Sequence, residues 1–295
     1  MEGMEFLKGC VDYHVHVYPS MMSRYCDIVE MAELADKAGY RAIVHKDHHT
    51  TSGQLAGIVK KHLFADSDLQ IFGSMALNNS VGGLSLPSVK AGLDFGAKVV
   101  WLPTASAKNH VEFTKLAQGN FPKVTKAKVI PEEPIVLIGE DGELTEEAKA
   151  VLELLAEREG VAIGTGHGVP AEVDAVVRYC EKLGVLNRVF VDHPNIIIRA
   201  SVEDTVRWAE MGAFVELTAA PSCPPNNDVS IEENVDLIRK IGPEHIAFAS
   251  DLGQVGPGNP VEAYAAFLYR LYKAGISDDD IHTMVCVNPA KLLSL

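Results

Sequence analysis

Two histidines stand two residues apart in an apolar run near the start of the chain, Asp12-Tyr13-His14-Val15-His16. Residues two apart on a β-strand share a face, so the two imidazoles point the same way, one pleat apart. Two neutral imidazoles so placed can bind one divalent metal; as a bland alternative they are a buried, hydrogen-bonded pair. Asp12 falls one pleat earlier on the same face and is expected to orient a ligand from behind. Two further histidines follow otherwise apolar runs, His167 in "GTGHGVP" and His193 in "VDHPN", and Gly166 and Gly168 let the backbone approach closely around His167. Asp251, in "FASDLGQ", supplies a carboxylate. Four imidazoles and one carboxylate make a nitrogen-rich site suited to zinc, or to manganese, iron or nickel.

The elements that must position these residues show as a repeated pattern. Short apolar runs at 10–17, 40–46, 69–77, 97–103, 160–166, 187–193, 212–218 and 244–250 are nearly continuous, as expected of parallel strands buried on both sides. Between them lie stretches of helical spacing, such as "MSRYCDIVEMAELADKAG", "LPSVKAGLDFG" and "LTEEAKAVLELLAEREG", stopping at Gly39, Gly96 and Gly160. Ser201 with Asp204, Ser230 with Glu233 and Ser277 with Asp280 fit the start signal of a helix. Eight strand–helix units in series predict an α/β protein, a (β/α)8 TIM barrel forming a single domain over 1–295. A doubly wound sheet is the other arrangement of such units, but no G-x-G-x-x-G follows the first strand. Residues 121–145, with Asp141-Gly142 at the turn, predict a β-hairpin insertion between units four and five.

In such a barrel, chemistry collects at the C-terminal strand ends. Of the 11 histidines, His14, His16, His45, His48, His49, His110, His167 and His193 lie at or shortly after such an end. So do Lys46, Asp47, Asn78, Asn79, Thr104, Glu216, Thr218 and Asp251. Lys46, His48 and His110 are expected to contact a small substrate's polar groups, which suggests an anionic substrate.

Composition removes other classes. The chain has 295 residues, 47% hydrophobic, and a formal net charge of −14. That charge opposes nucleic-acid binding. No apolar run approaches the ~20 residues of a membrane span, and no signal peptide is read at the start, so a cytoplasmic protein is expected. Five scattered cysteines without a C-x-x-C point to reduced, buried thiols. No G-x-S-x-G elbow or Walker A sequence is present, and Cys223 reads as a loop thiol. Whether the chain forms a homo-oligomer is left open by the sequence.

H-x-H ending strand one, His ending strands five and six and Asp ending strand eight together resemble the amidohydrolase superfamily of metal-dependent hydrolases. The closing "VCVNPAKLLSL" is similar to that superfamily's last helix. "VGGLSLPSV", "KVVWLPTASAKNH" and "SDLGQ" resemble a subgroup of amidohydrolase-like barrels of unassigned function. The resemblance implies that His14, His16 and Asp251 bind the more buried metal. It implies that His167 binds that metal or a second, and that His193 ligates a second or acts as acid/base. Asp251 and His193 are then the catalytic residues, Asp251 taking a proton from the attacking water. It implies hydrolysis of a C–N or C–O bond (amide, lactam, ester or lactone) with one or two divalent ions, zinc foremost. One departure stands out. Many relatives bridge two metals with a carboxylated Lys or a Glu ending strand four, where this chain has Trp101-Leu102-Pro103-Thr104; Lys46 is the substitute bridge, or else a substrate-facing cation. The missing bridge suits a one-metal decarboxylase of the same superfamily. "IVHKDHH" resembles the PHP phosphoesterases, although strand eight lacks their Asp-x-His. A metal-holding barrel that only binds a ligand is the fourth reading.

Overall fold

A computed structural model describes residues 2–116 and 132–295. The strands are β1 (Val11–Val15), β2 (Ala42–His45), β3 (Gln70–Ala76), β4 (Ala97–Trp101), β5 (Ala162–Gly164), β6 (Val189–Val191), β7 (Phe214–Thr218) and β8 (Ile246–Ala249). They form one parallel sheet in chain order, with helices between them. The sheet curls round so that β8 meets β1. Tyr13 OH donates to the Ala247 carbonyl (3.0 Å), and beyond the strands Asp251 N donates to His14 O and His16 N to Leu252 O, each at 2.8 Å. This is the expected (β/α)8 barrel.

Alternation along the strands sorts inside from outside. Val44, Trp101, Phe190, Ala247 and Ala249 join one cluster lining the interior, while their neighbours Ile43, Val100, Val189, Val191, Ile246 and Phe248 pack outward against the helices. Trp101 and Phe190 meet edge to face at 5.8 Å, and Tyr13 meets Phe190 likewise at 5.2 Å. Gly164 makes room for this stack, since a Cβ there would lie 2.4 Å from Trp101 Cδ1. By the same alternation Glu216 on β7, and Lys46, Asp192 and Asp251 just past their strands, project inward above the apolar layer.

The start signals act as read: Ser201, Ser230 and Ser277 accept from the backbone N–H of Asp204, Glu233 and Asp280 at 3.0–3.1 Å. The first helix spans only Ile28–Ala38, capped by Asp27, so Met22–Cys26 is loop rather than helix. Of the predicted hairpin, 121–131 lies outside the described residues. The remainder shows a single antiparallel bridge, Ile138↔Leu144, around Asp141-Gly142 rather than two strands. Among the described residues no helix is long and apolar enough to cross a membrane.

Candidate metal centre

β1 carries a bulge that the plain two-residue period does not foresee. From Asp12 to Val15 it advances three residues while β2 advances two, from Ile43 to His45. A bulge re-aims side chains. Tyr13 belongs to the interior cluster, yet His14 next to it also turns inward, its ring 5.3 Å from Trp101. Asp12 is therefore not on the histidines' face. Its Oδ1 accepts from Ser250 N (3.0 Å), tying β1 to β8, and burial raises its pKa to about 6 against those hydrogen bonds. The group behind His14 is Glu216, whose Oε1 lies 2.9 Å from His14 Nδ1 and whose side chain is wholly buried. Glu216 comes to this position across 202 residues of sequence, and its only sequence signal is a carboxylate in the middle of an apolar strand.

His14 Nε2 and His16 Nε2 converge on Asp251 Oδ1, at 3.1 and 3.0 Å. Asp251 reaches them because its own N–H bonds His14 O and its backbone is left-handed, φ +50°. Burial and the Lys46 charge work against a protonated His14, but Glu216 and Asp251 outweigh them and its pKa rises to about 9. His16 is the opposite case: burial and the nearby Arg24 keep it neutral, well below the usual range. Burial would raise the Asp251 carboxyl, but His14 and His16 hold it well below the carboxylate range.

A second group stands beside the first. His167, Asp192 and His193 each offer a ligand atom, all within 4.8 Å of one another, as do His14, His16 and Asp251. The His167 and His193 rings are 5.0 Å apart, and the His14 and His193 rings 6.1 Å. Pinned backbone sets these positions: His167 N donates to Pro103 O, and Gly166 N to Asp192 Oδ2 at 2.7 Å. Gly166 is needed there, as a Cβ would meet Pro103 O at 2.4 Å and its φ is +72°. Burial, with Glu216 nearby, raises the Asp192 pKa to about 7. Asp192, adjacent to His193 in sequence, was not singled out by spacing alone.

Three polar atoms of this group, His167 Nε2, His193 Nδ1 and Asp192 Oδ1, are buried without a hydrogen-bond partner. Buried polar groups are ordinarily paired, and an unpaired one costs about 1–3 kcal/mol. Three in one cluster of imidazole and carboxylate are what a divalent cation would satisfy, so the residues fit a metal.

The other predicted site residues surround these groups. Lys46 is fully buried, its Nζ 3.0 Å from His14 Nε2 and 4.3 Å from the centre of the Trp101 ring; burial lowers its pKa. His48 stacks on His16 at 5.0 Å, its Nδ1 3.0 Å from Thr104 Oγ1. His110 stacks on His167 with their Nδ1 atoms 2.6 Å apart, and burial lowers its pKa to about 4. His45 and His49 stay outside. The His45 ring meets Val17 O at 3.1 Å, and His49 is partly exposed beside Asp47. Cys223 is buried, and burial pushes its thiol up to about 11, so it is no ready nucleophile.

Known structures share this architecture. An amidohydrolase from Pseudomonas aeruginosa aligns over 99% of this chain and 98% of its own, with a TM-score of 0.65 at 12% identity. The phosphotriesterase homology protein of Escherichia coli aligns over 97% and 99% (TM-score 0.53, 15% identity), and a 2,6-dihydroxybenzoate decarboxylase from Rhizobium over 97% and 99% (0.56, 11%). At these identities the likeness is one of fold, the same (β/α)8 barrel. A comparison with curated protein sequences finds no match. A profile described as a family of unknown function, DUF6282, matches residues 9–216 and so covers more than half of the sequence. The chain belongs to that family.

Proposed function

We propose that this chain is a metal-dependent hydrolase that cleaves a C–N or C–O bond of a small molecule: an amide, lactam, ester or lactone. The observation that carries the reading is the pair of adjacent His/carboxylate groups inside the C-terminal mouth, the second with three unsatisfied buried atoms. His14, His16 and Asp251 would hold one divalent ion and His167, His193 and Asp192 another, with zinc the first choice for such nitrogen-rich donors. A bound ion supplies hydroxide at neutral pH and polarises the bond to be cleaved. Asp251 is the proton acceptor: it is ionised and lies against both His14 and His16. As the water oxygen bonds the acyl carbon, its proton passes to Asp251. The leaving nitrogen or oxygen then takes that proton back from Asp251; His193 could give one only in a one-metal site where it is not a ligand. His48 and His110 would meet the substrate's polar groups, and Lys46 either joins them as a substrate-facing cation or, carboxylated, bridges two metals.

One observation favours a second reading, a decarboxylase. Trp101 ends β4 and fills the place from which many relatives bridge two metals, and one structural neighbour is itself a decarboxylase. A panel of lactones, amides, esters and aromatic carboxylic acids, assayed with metal-loaded protein, tests both. Asp251→Asn should keep the fold and lose at least ~10²-fold in kcat, the low end of general acid–base catalysis. Carbon dioxide release from an acid, with every ester and amide inert, would favour decarboxylation. An Asp251→Asn enzyme hydrolysing at the wild-type rate would remove Asp251 as proton acceptor.

A further inference from the structure

His48 lies just past β2 and is partly exposed, whereas His14, His16, His167 and His193 are buried. Its ring is 5.0 Å from the ring of His16 and 6.4 Å from that of His167, one member of each His/carboxylate group. It therefore spans the two groups and is open to solvent.

What it offers there is set from behind. Asn78, buried just past β3, accepts the backbone N–H groups of Thr104 and Ser106 on Oδ1, each at 2.9 Å. A backbone N–H can only donate, so that end of the amide is the oxygen and the other is the NH2. The NH2 donates to the His48 carbonyl and to Thr104 Oγ1, both at 2.8 Å. Thr104 is wholly buried, and among the described residues the acceptor within reach of its hydroxyl hydrogen is His48 Nδ1, at 3.0 Å. A proton on Nδ1 instead would leave that hydroxyl hydrogen buried and unpaired, which is costly. So Nδ1 accepts, and the ring proton sits on Nε2. Among the described residues Nε2–H meets no acceptor, and it is not a buried atom.

His14 is the opposite case. Its Nδ1 faces the Glu216 carboxylate, an acceptor, which leaves Nε2 a lone pair for a cation. The partner behind each ring thus separates a ligand from a donor, since a protonated Nε2 has no lone pair to give a metal.

We propose that His48 is a fixed hydrogen-bond donor and not a metal ligand, and that its Nε2–H receives a carbonyl or carboxylate oxygen of the substrate. Asn78 and Thr104 are the positioning residues that fix its tautomer. This rests on the hydrolase reading for the presence of a substrate and adds the kind of group that substrate presents.

The test records long-range proton–nitrogen NMR spectra of zinc-loaded protein carrying 15N-labelled histidine. The His48 signals are those missing from His48→Phe, which keeps a ring against His16. The expected spectrum has a protonated Nε2 and a bare Nδ1 for His48. Titration with sodium acetate, whose oxygens accept and cannot donate, should shift that Nε2–H saturably, and sodium chloride at equal ionic strength should not. Thr104→Val removes the hydroxyl at nearly constant shape. It should release the tautomer, so that Nδ1 also carries the proton, and with His48→Phe it should weaken acetate binding at least about tenfold at unchanged zinc content. A proton on Nδ1 in the wild type, a His48 nitrogen bound to zinc, an Nε2–H unmoved by acetate, or full acetate affinity in His48→Phe would overturn the proposal. If Thr104→Val does not fold, the wild-type spectrum and His48→Phe decide. Zinc content of the same samples reports separately on the hydrolase reading: zinc retained with Nε2 bare leaves that reading standing and removes only this donor.

Discussion

Glu216 decides what His14 can offer. Its carboxylate oxygen, 2.9 Å from Nδ1, favours the tautomer with a proton there and leaves Nε2 with its lone pair toward Asp251 and a cation. Glu216→Gln keeps the shape and loses the charge. It should weaken metal affinity by about 10–100-fold while the barrel stays folded, read by competition with a chelating dye. Lys46 admits a comparable test. As a bridge between the two groups, its loss in Lys46→Ala should lower metal content; as a substrate contact only, it should raise KM with metal content unchanged. The imidazoles were legible because histidine is rare at the ends of apolar runs. Glu216 showed only as a carboxylate on its strand and Asp192 not at all, because what marks their roles is a partner, or the lack of one, brought near by the fold.

Two features of the elements place these side chains. The bulge in β1 turns both Tyr13 and His14 inward, joining the apolar layer to the polar one. The sequence showed the strand and its histidines but not the extra residue, so Asp12 was put on the wrong face. Strand order and helix stops were visible because buried parallel strands and terminal glycines leave direct traces in composition. The closing turn after β8 was visible only as "SDLGQ". Gly253 there has no room for a side chain. Gly253→Ala should cost more than ~1 kcal/mol from the left-handed backbone alone, and more from the clash with His16 O. It should lower Tm and metal content together, since the same turn carries Asp251; a variant with wild-type Tm would show that the turn is not rigid.

Across the whole molecule, an apolar interior closes the barrel below and a ring of imidazoles and carboxylates crowns it at the C-terminal mouth. The matched family region ends at residue 216, before β8, yet Asp251 beyond β8 completes the first group. The two groups also give the molecule a pH signature. Glu216 and Asp251 overcome burial to raise the His14 pKa to about 9. In metal-free protein, the stability this proton contributes is therefore full below pH ~6.5 and is lost as pH rises through about 9. A cation must displace the same proton, so apparent metal affinity should climb over that window, with protons released on binding. Chelator competition from pH 6 to 9 checks the slope, and an affinity independent of pH would mean that His14 is already neutral. The most direct test is elemental analysis of protein purified without chelator, beside His14→Ala and His16→Ala. One or two transition-metal ions per chain, zinc foremost, are predicted for the wild type, with most of the metal lost in both variants. A folded wild-type protein that neither retains nor takes up a metal, or variants that keep their full content, would contradict a metal centre at this mouth.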